Sequence, residues 1–214
     1  MNEADTRARK IEPKLRVSGW RGSQVTREYY YQPDQYYTRG KITLVGNEAR
    51  RGKPQKADYL LRYSESFPIA AVEAKSDEKE ASAGLGQAKG YAKDLGLAFA
   101  FATNGDDIIE YDFFTKSSRH LNQFPSPQEL WERWKQNIAT DPDKIAEKPG
   151  HYETGVGDDR QTNPLLHSYC PQSKCDKSPY YFQEVAIRRI VKRFMRGQRR
   201  VLLAMATGTG KTFL

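Results

Sequence analysis

Between Ile69 and Lys75 the chain reads IAAVEAK, an apolar run that closes on a carboxylate and an ammonium two residues apart. Side chains of an extended strand alternate between faces, so Glu73 and Lys75 share one face while Val72 and Ala74 take the other. Charges at the end of an otherwise apolar strand cost several kcal/mol unless they pair or bind a metal, so a fold that keeps them there uses them. Just upstream, ADYLLRY reads as a second strand with Asp58 at its start, joined to the first through the short turn SESFP. Pairing across that turn brings Asp58 near Glu73. Two hard carboxylates side by side repel, and a divalent cation such as Mg²⁺ relieves the repulsion. The bland reading is an ordinary Glu/Lys surface pair on an edge strand, since a Glu-x-Lys triplet alone carries almost no specificity.

The surrounding chain supplies the context. Glu3 to about Leu15 has helical composition, with Ala8, Ile11 and Leu15 at helical spacing, Pro13 as a point of kinking and Gly19 as a stop. VTREYYYQPDQYY reads as a strand running into a loop. After IAAVEAK, residues Ala81 to Leu95 place Leu85, Ala88, Ala92 and Leu95 on one helical face despite three glycines. LAFAFATNG is a buried strand closed by Asn104-Gly105, with IIEYDFF as its hairpin partner. PSPQELWERWKQN is a helix with Ser126 as N-cap, Pro127 in the first turn and Glu129 completing a capping box. From about Thr140 the chain turns polar and rich in Gly and Pro, which predicts a linker. A second unit follows near Pro179: a helix, FQEVAIRRIVKRFMRG, stopped by Gly197, and then a strand, RRVLLAMA, running into GTGKT. The expected organisation is thus a domain over 1–140, a linker over 141–178 and the opening of another domain over 179–214.

A net charge of +8 favours an anionic partner, and nucleic acid is the first candidate. Arg7, Arg9, Lys10, Arg50, Arg51, Lys53 and Lys56 are candidate phosphate contacts that carry no sequence readout. No apolar run reaches the roughly 18 residues of a spanning helix, so no membrane partner is expected. The charged N-terminus is unlike a signal peptide, and a cytoplasmic location follows as the expectation. His167, Cys170 and Cys175 are too irregularly spaced for a structural zinc site, and no zinc is expected.

Lys56-Ala57-Asp58 followed by Glu73-Ala74-Lys75 resembles the two elements of the PD-(D/E)xK nuclease superfamily, without the proline. Gln87-Ala88-Lys89-Gly90-Tyr91 resembles the QxxxY element found after that strand in superfamily members joined to DNA motors. Gln87 and Tyr91 stand four apart and share a helix face. The resemblance implies a mixed α/β fold of the restriction-endonuclease-like type, a sheet flanked by helices, with Mg²⁺ held by Asp58, Glu73 and Ala74. It implies Lys75 acting on the attacking water and the phosphate, and Gln87 and Tyr91 lining the site. Glu3 is a further candidate ligand, because related nucleases supply an acidic residue from the first helix.

Near the end, MATGTGKT keeps the Gly-Lys-Thr of a phosphate loop but has Met205 at the first glycine position, as in superfamily 2 helicases. By that resemblance Gly208, Gly210 and Lys211 cradle the phosphates of ATP, Thr212 ligates its Mg²⁺, and Gln183 reads adenine as part of a Q motif. These features fall in an order similar to that of the R subunits of type I restriction-modification enzymes. The likeness implies an ATP-dependent endonuclease acting on double-stranded DNA beside methylation and specificity subunits, with the opening helix and strand of a RecA-like motor. Two other readings stay open: a nuclease fold kept only to clamp DNA or dock subunits, and a repair nuclease joined to a helicase.

Overall fold

A computed structural model describes residues 1–31, 54–139, 166, 181–195 and 200–203. Among them a six-stranded mixed sheet runs in sequence order: β1 (Val25–Tyr31), β2 (Gln55–Ser64), β3 (Phe67–Ala74), β4 (Phe99–Thr103), β5 (Ile108–Asp112) and β6 (Ser117–Leu121). Every neighbouring pair is antiparallel except β3 and β4, which are parallel and joined by the crossover helix α3 (Ser82–Leu95). The turn that joins β2 to β3 is shorter than SESFP, only Glu65 and Ser66, because Ser64 ends β2 and Phe67 and Pro68 begin β3; Asn104-Gly105 lies between β4 and β5. The sheet flanked by helices is the expected mixed α/β fold.

Strand β3 is buried along its whole length because both sheet faces are covered. On one face Leu60, Ala71 and Ala100 meet Ala88, Ala92 and Leu95 of α3. Small side chains on both sides let the helix lie close. The other face carries Tyr59, Leu61, Tyr63, Val72, Phe99 and Phe101, packed against Ile11 and Leu15 and against α4 (Pro127–Ala139). Trp131 of α4 stacks on Tyr63 at 4.5 Å and beside Trp134 at 4.8 Å. The Ser126 hydroxyl accepts from the Glu129 N–H at 3.1 Å, the cap expected from the sequence.

The N-terminal helix departs from expectation in form. It consists of α1 (Glu3–Thr6), a π-helical turn (Arg7–Ile11) and α2 (Glu12–Val17). The Glu12 N–H reaches the Arg7 carbonyl, a bond spanning five residues, directly before Pro13, which has no N–H to give. The proline is absorbed by widening the preceding turn. Strand β6 was not expected: SSRHL is exposed along nearly its whole length and lacks apolar alternation.

Helix α5 (Tyr181–Met195) matches the expected FQEVAIRRIVKRFM helix, and its Val191 is buried in the same core as α4. Residues 200–203 form no strand, so the described part of the expected RRVLLAMA strand is absent. The rest of that segment, the linker (apart from Leu166), His167, Cys170, Cys175 and the loop with Gly208, Gly210, Lys211 and Thr212 lie outside the described residues. No described helix is long and apolar enough to cross a membrane.

Candidate active site

Strands β2 and β3 pair in the register Tyr59↔Val72, and one further step along that ladder sets Asp58 opposite Glu73. Both side chains emerge on the α3 face. Asp58 is the fourth residue of β2 rather than its first, and only 4 % of it is exposed. Glu73 is 5 % exposed. Their proximity is felt electrostatically. Burial first, and the Asp58 charge after it, push the Glu73 carboxyl up to about 7, although Lys75 pulls the other way.

Each carboxylate has its own support. Asp58 Oδ2 accepts from the Ala74 N–H at 2.8 Å, and Oδ1 accepts from Arg7 Nη1 at 3.0 Å. Lys75 Nζ donates to Glu73 Oε1 at 2.8 Å and also to Gln87 Oε1. Tyr91 lies one helical turn beyond Gln87; burial first, and the Glu73 and Asp58 charges after it, push its phenol up to about 12. The structure therefore gathers Asp58, Glu73, Ala74, Lys75, Gln87 and Tyr91 into one cluster. Glu3 is exposed, and its charge is felt as a small upward push on Glu73 and Tyr91.

Helix α3 approaches closely because residue 84 is glycine. A β-carbon there would stand 3.1 Å from Glu73 Cγ and 3.3 Å from Lys75 Cε. The Asp58 and Glu73 carboxylates offer hard oxygen ligands side by side, which suits a cation such as Mg²⁺. No group of three or more His, Cys, Asp or Glu side chains gathers as a metal site among the described residues.

Sequence reasoning missed Arg7 as a member. It had been grouped with phosphate-binding basic residues, whereas its guanidinium is turned inward onto Asp58 and Glu28. Lys10 is likewise tied to Asp77 and Asp106, and Lys56 to Glu28. Arg9 is exposed, and Arg50, Arg51 and Lys53 lie outside the described residues. Gln183 of α5 is 2 % exposed in this arrangement, its neighbour Glu184 accepting from Tyr29 and Arg62 at 3.0 Å each.

Comparison with known proteins agrees with this architecture. Residues 176–214 match the family described as the res subunit of type III restriction enzymes. The endonuclease subunit of the type I restriction enzyme EcoAI from Escherichia coli is 32 % identical over 222 residues, covering 100 % of this chain and 24 % of that one. The EcoKI endonuclease subunit from Escherichia coli strain K12 is 25 % identical over 259 residues, covering 94 % and 20 %. A fragment structure of an HsdR subunit of a type I restriction enzyme from Vibrio vulnificus YJ016 superposes with a TM-score of 0.71 at 37 % identity, covering 99 % of this chain and 36 % of that one. The chain thus spans a quarter or less of the length of these two curated relatives. Matched along its whole length in sequence and in fold, it belongs to the endonuclease subunits of type I restriction enzymes, of which it represents a part.

Proposed function

We propose that the cluster around Asp58 and Glu73 is a Mg²⁺-dependent endonuclease centre that hydrolyses DNA phosphodiester bonds. The observation that carries this reading is the pair of buried carboxylates on adjacent strands, with Lys75 Nζ bound to one of them and Glu73 pushed up to about 7. A protein that needed only a stable strand would not bury two like charges side by side.

Asp58, Glu73 and the Ala74 carbonyl would hold the ion. When bound, it supplies Lewis-acid activation of the phosphate. Lys75, steadied by Gln87, holds the attacking water, assists its deprotonation and offsets charge that develops on the phosphate oxygens. Tyr91 keeps Glu73 in place from the helix side. In the longer protein, residues 1–140 form the nuclease domain and 141–178 the linker. Residues 179–214 open a motor whose Gln183, Gly208, Gly210, Lys211 and Thr212 contact ATP and its Mg²⁺. Translocation driven by ATP then feeds double-stranded DNA to the site, within a complex that also contains methylation and specificity subunits.

The test uses the full-length subunit in its complex. Asp58→Ala and Lys75→Ala are expected to lower DNA cleavage on the order of a thousandfold while ATP-driven translocation continues. Wild-type cutting by both variants would falsify the assignment. One observation favours a second reading, a metal-free DNA clamp: Arg7 and Lys75 already neutralise both carboxylates within the protein. Calorimetry with Mg²⁺ separates the two, because a clamp gives no heat that depends on Asp58.

A further inference from the structure

We infer that Arg7 is a positioning residue for Asp58 and that Glu28 holds Arg7 in turn, so that a guanidinium from the first helix sets the aim of a site carboxylate. This inference rests on the nuclease reading above.

Three observations converge on it. The first is the double tether of Asp58: the Ala74 N–H on Oδ2 at 2.8 Å and Arg7 Nη1 on Oδ1 at 3.0 Å. Together the two tethers fix the plane of the carboxylate and leave its other lone pairs directed into the cluster. The guanidinium makes a charge-assisted bond with a side chain that is almost wholly buried, where such bonds are strong.

The second is Glu28. The β1–β2 ladder pairs Arg27 with Tyr59 and Tyr29 with Ala57, but the pair between them, Glu28 with Asp58, is missing. Glu28 has φ +50, a left-handed conformation that a non-glycine residue adopts at a cost and keeps only where its surroundings demand it. That twist turns Glu28 out of the ladder at the position facing Asp58. Its Oε1 accepts from Arg7 Nη1 and Nη2 at 3.3 Å each and from Lys56 Nζ at 3.4 Å.

The third is the helix that delivers the arginine. Arg7 opens the π-helical turn, and its own carbonyl accepts the wide-turn bond from Glu12. The left-handed residue facing Asp58 thus serves the guanidinium that the N-terminal helix delivers from the first residue of its π turn.

Arg7→Met, Arg7→Lys and Glu28→Gly, with Asp58→Ala as reference, are compared in the full-length subunit by Mn²⁺ calorimetry, DNA cleavage and thermal melting. Arg7→Met is expected to weaken Mn²⁺ binding and slow cleavage by about ten- to a hundredfold, as loss of a ligand-orienting partner does, with Arg7→Lys recovering part of both. Glu28→Gly relieves the left-handed backbone, so its melting temperature is expected to be no lower than wild type while Mn²⁺ binding and cleavage still weaken. If Asp58→Ala abolishes both functions but Arg7→Met and Glu28→Gly leave them within twofold of wild type, Arg7 does not position Asp58. Tighter Mn²⁺ binding by Arg7→Met overturns the inference as well, since it makes Arg7 a competing counter-ion. If Asp58→Ala itself binds Mn²⁺ and cuts normally, the nuclease reading fails instead.

Discussion

Glu73 binds its proton more tightly in the folded chain than in the unfolded one, because burial and the neighbouring Asp58 charge raise its pKa from 4.5 to about 7. The stability this contributes is complete below pH 4.5 and is lost as pH rises through about 7. Metal-free protein should therefore show a falling component in its melting temperature across that window, and Glu73→Gln should remove the component. Melts in chelator for wild type and variant side by side isolate it, since the other titrating groups cancel in the difference. An identical pH profile for the two proteins would contradict the environment assigned to Glu73. The Glu73–Lys75 contact was legible in the sequence because it needs only the period of a strand. Arg7 was not: it lies 51 residues from Asp58, and no local pattern separates an arginine turned inward from one facing solvent.

Helix α3 shows why element-scale reading succeeds on periodicity and stops short of close approach. Ala88, Ala92 and Leu95 declared its buried face, but its glycines looked like three equal costs in propensity. They are not equal. Gly84 backs directly onto Glu73 and Lys75, whereas Gly90 has open space where a β-carbon would go. Gly84→Ala is expected to shift Glu73 and Lys75 and to lower cleavage at least about tenfold, in keeping with the sensitivity of catalysis to displacements near 1 Å. Gly90→Ala should raise folding stability by about 0.5–1 kcal/mol. Chemical denaturation and cleavage assays on the pair check both, and equal effects from the two changes would contradict the packing described. At Gly105, with φ +90, a β-carbon would fall 2.6 Å from Lys10 Cβ, so the Asn104-Gly105 turn is pressed against the N-terminal helix. The dipeptide predicted the turn, and the tertiary fold adds a second reason for glycine there. Strand β6 escaped notice because one edge strand with solvent on its side chains needs no apolar alternation.

Over the whole molecule, α5 joins the sheet through apolar packing, with Val191 in the main core, and through the carboxylate of Glu184. Glu184 accepts from Tyr29 of β1 and Arg62 of β2, and it opposes the burial that lowers the Arg188 guanidinium to about 10. Glu184→Ala leaves Arg62 and the buried Arg188 short of a counter-charge, and should destabilise the chain by about 2 kcal/mol, read from denaturant unfolding. No loss of stability would mean that α5 adds little to this core. The sequence by itself determined the β-α-β unit, the capped tryptophan helix, and the shared face of Glu73 and Lys75. These are local properties, set by strand and helix periods, caps and turn residues that act within a few positions. Only the tertiary structure decided that Arg7 and Glu28 support Asp58, that Gly84 makes room for the acidic pair, and that Glu184 joins α5 to β1 and β2. Those contacts depend on how separate elements stack, and stacking is set by the sum of many side-chain packings that no short window of sequence contains.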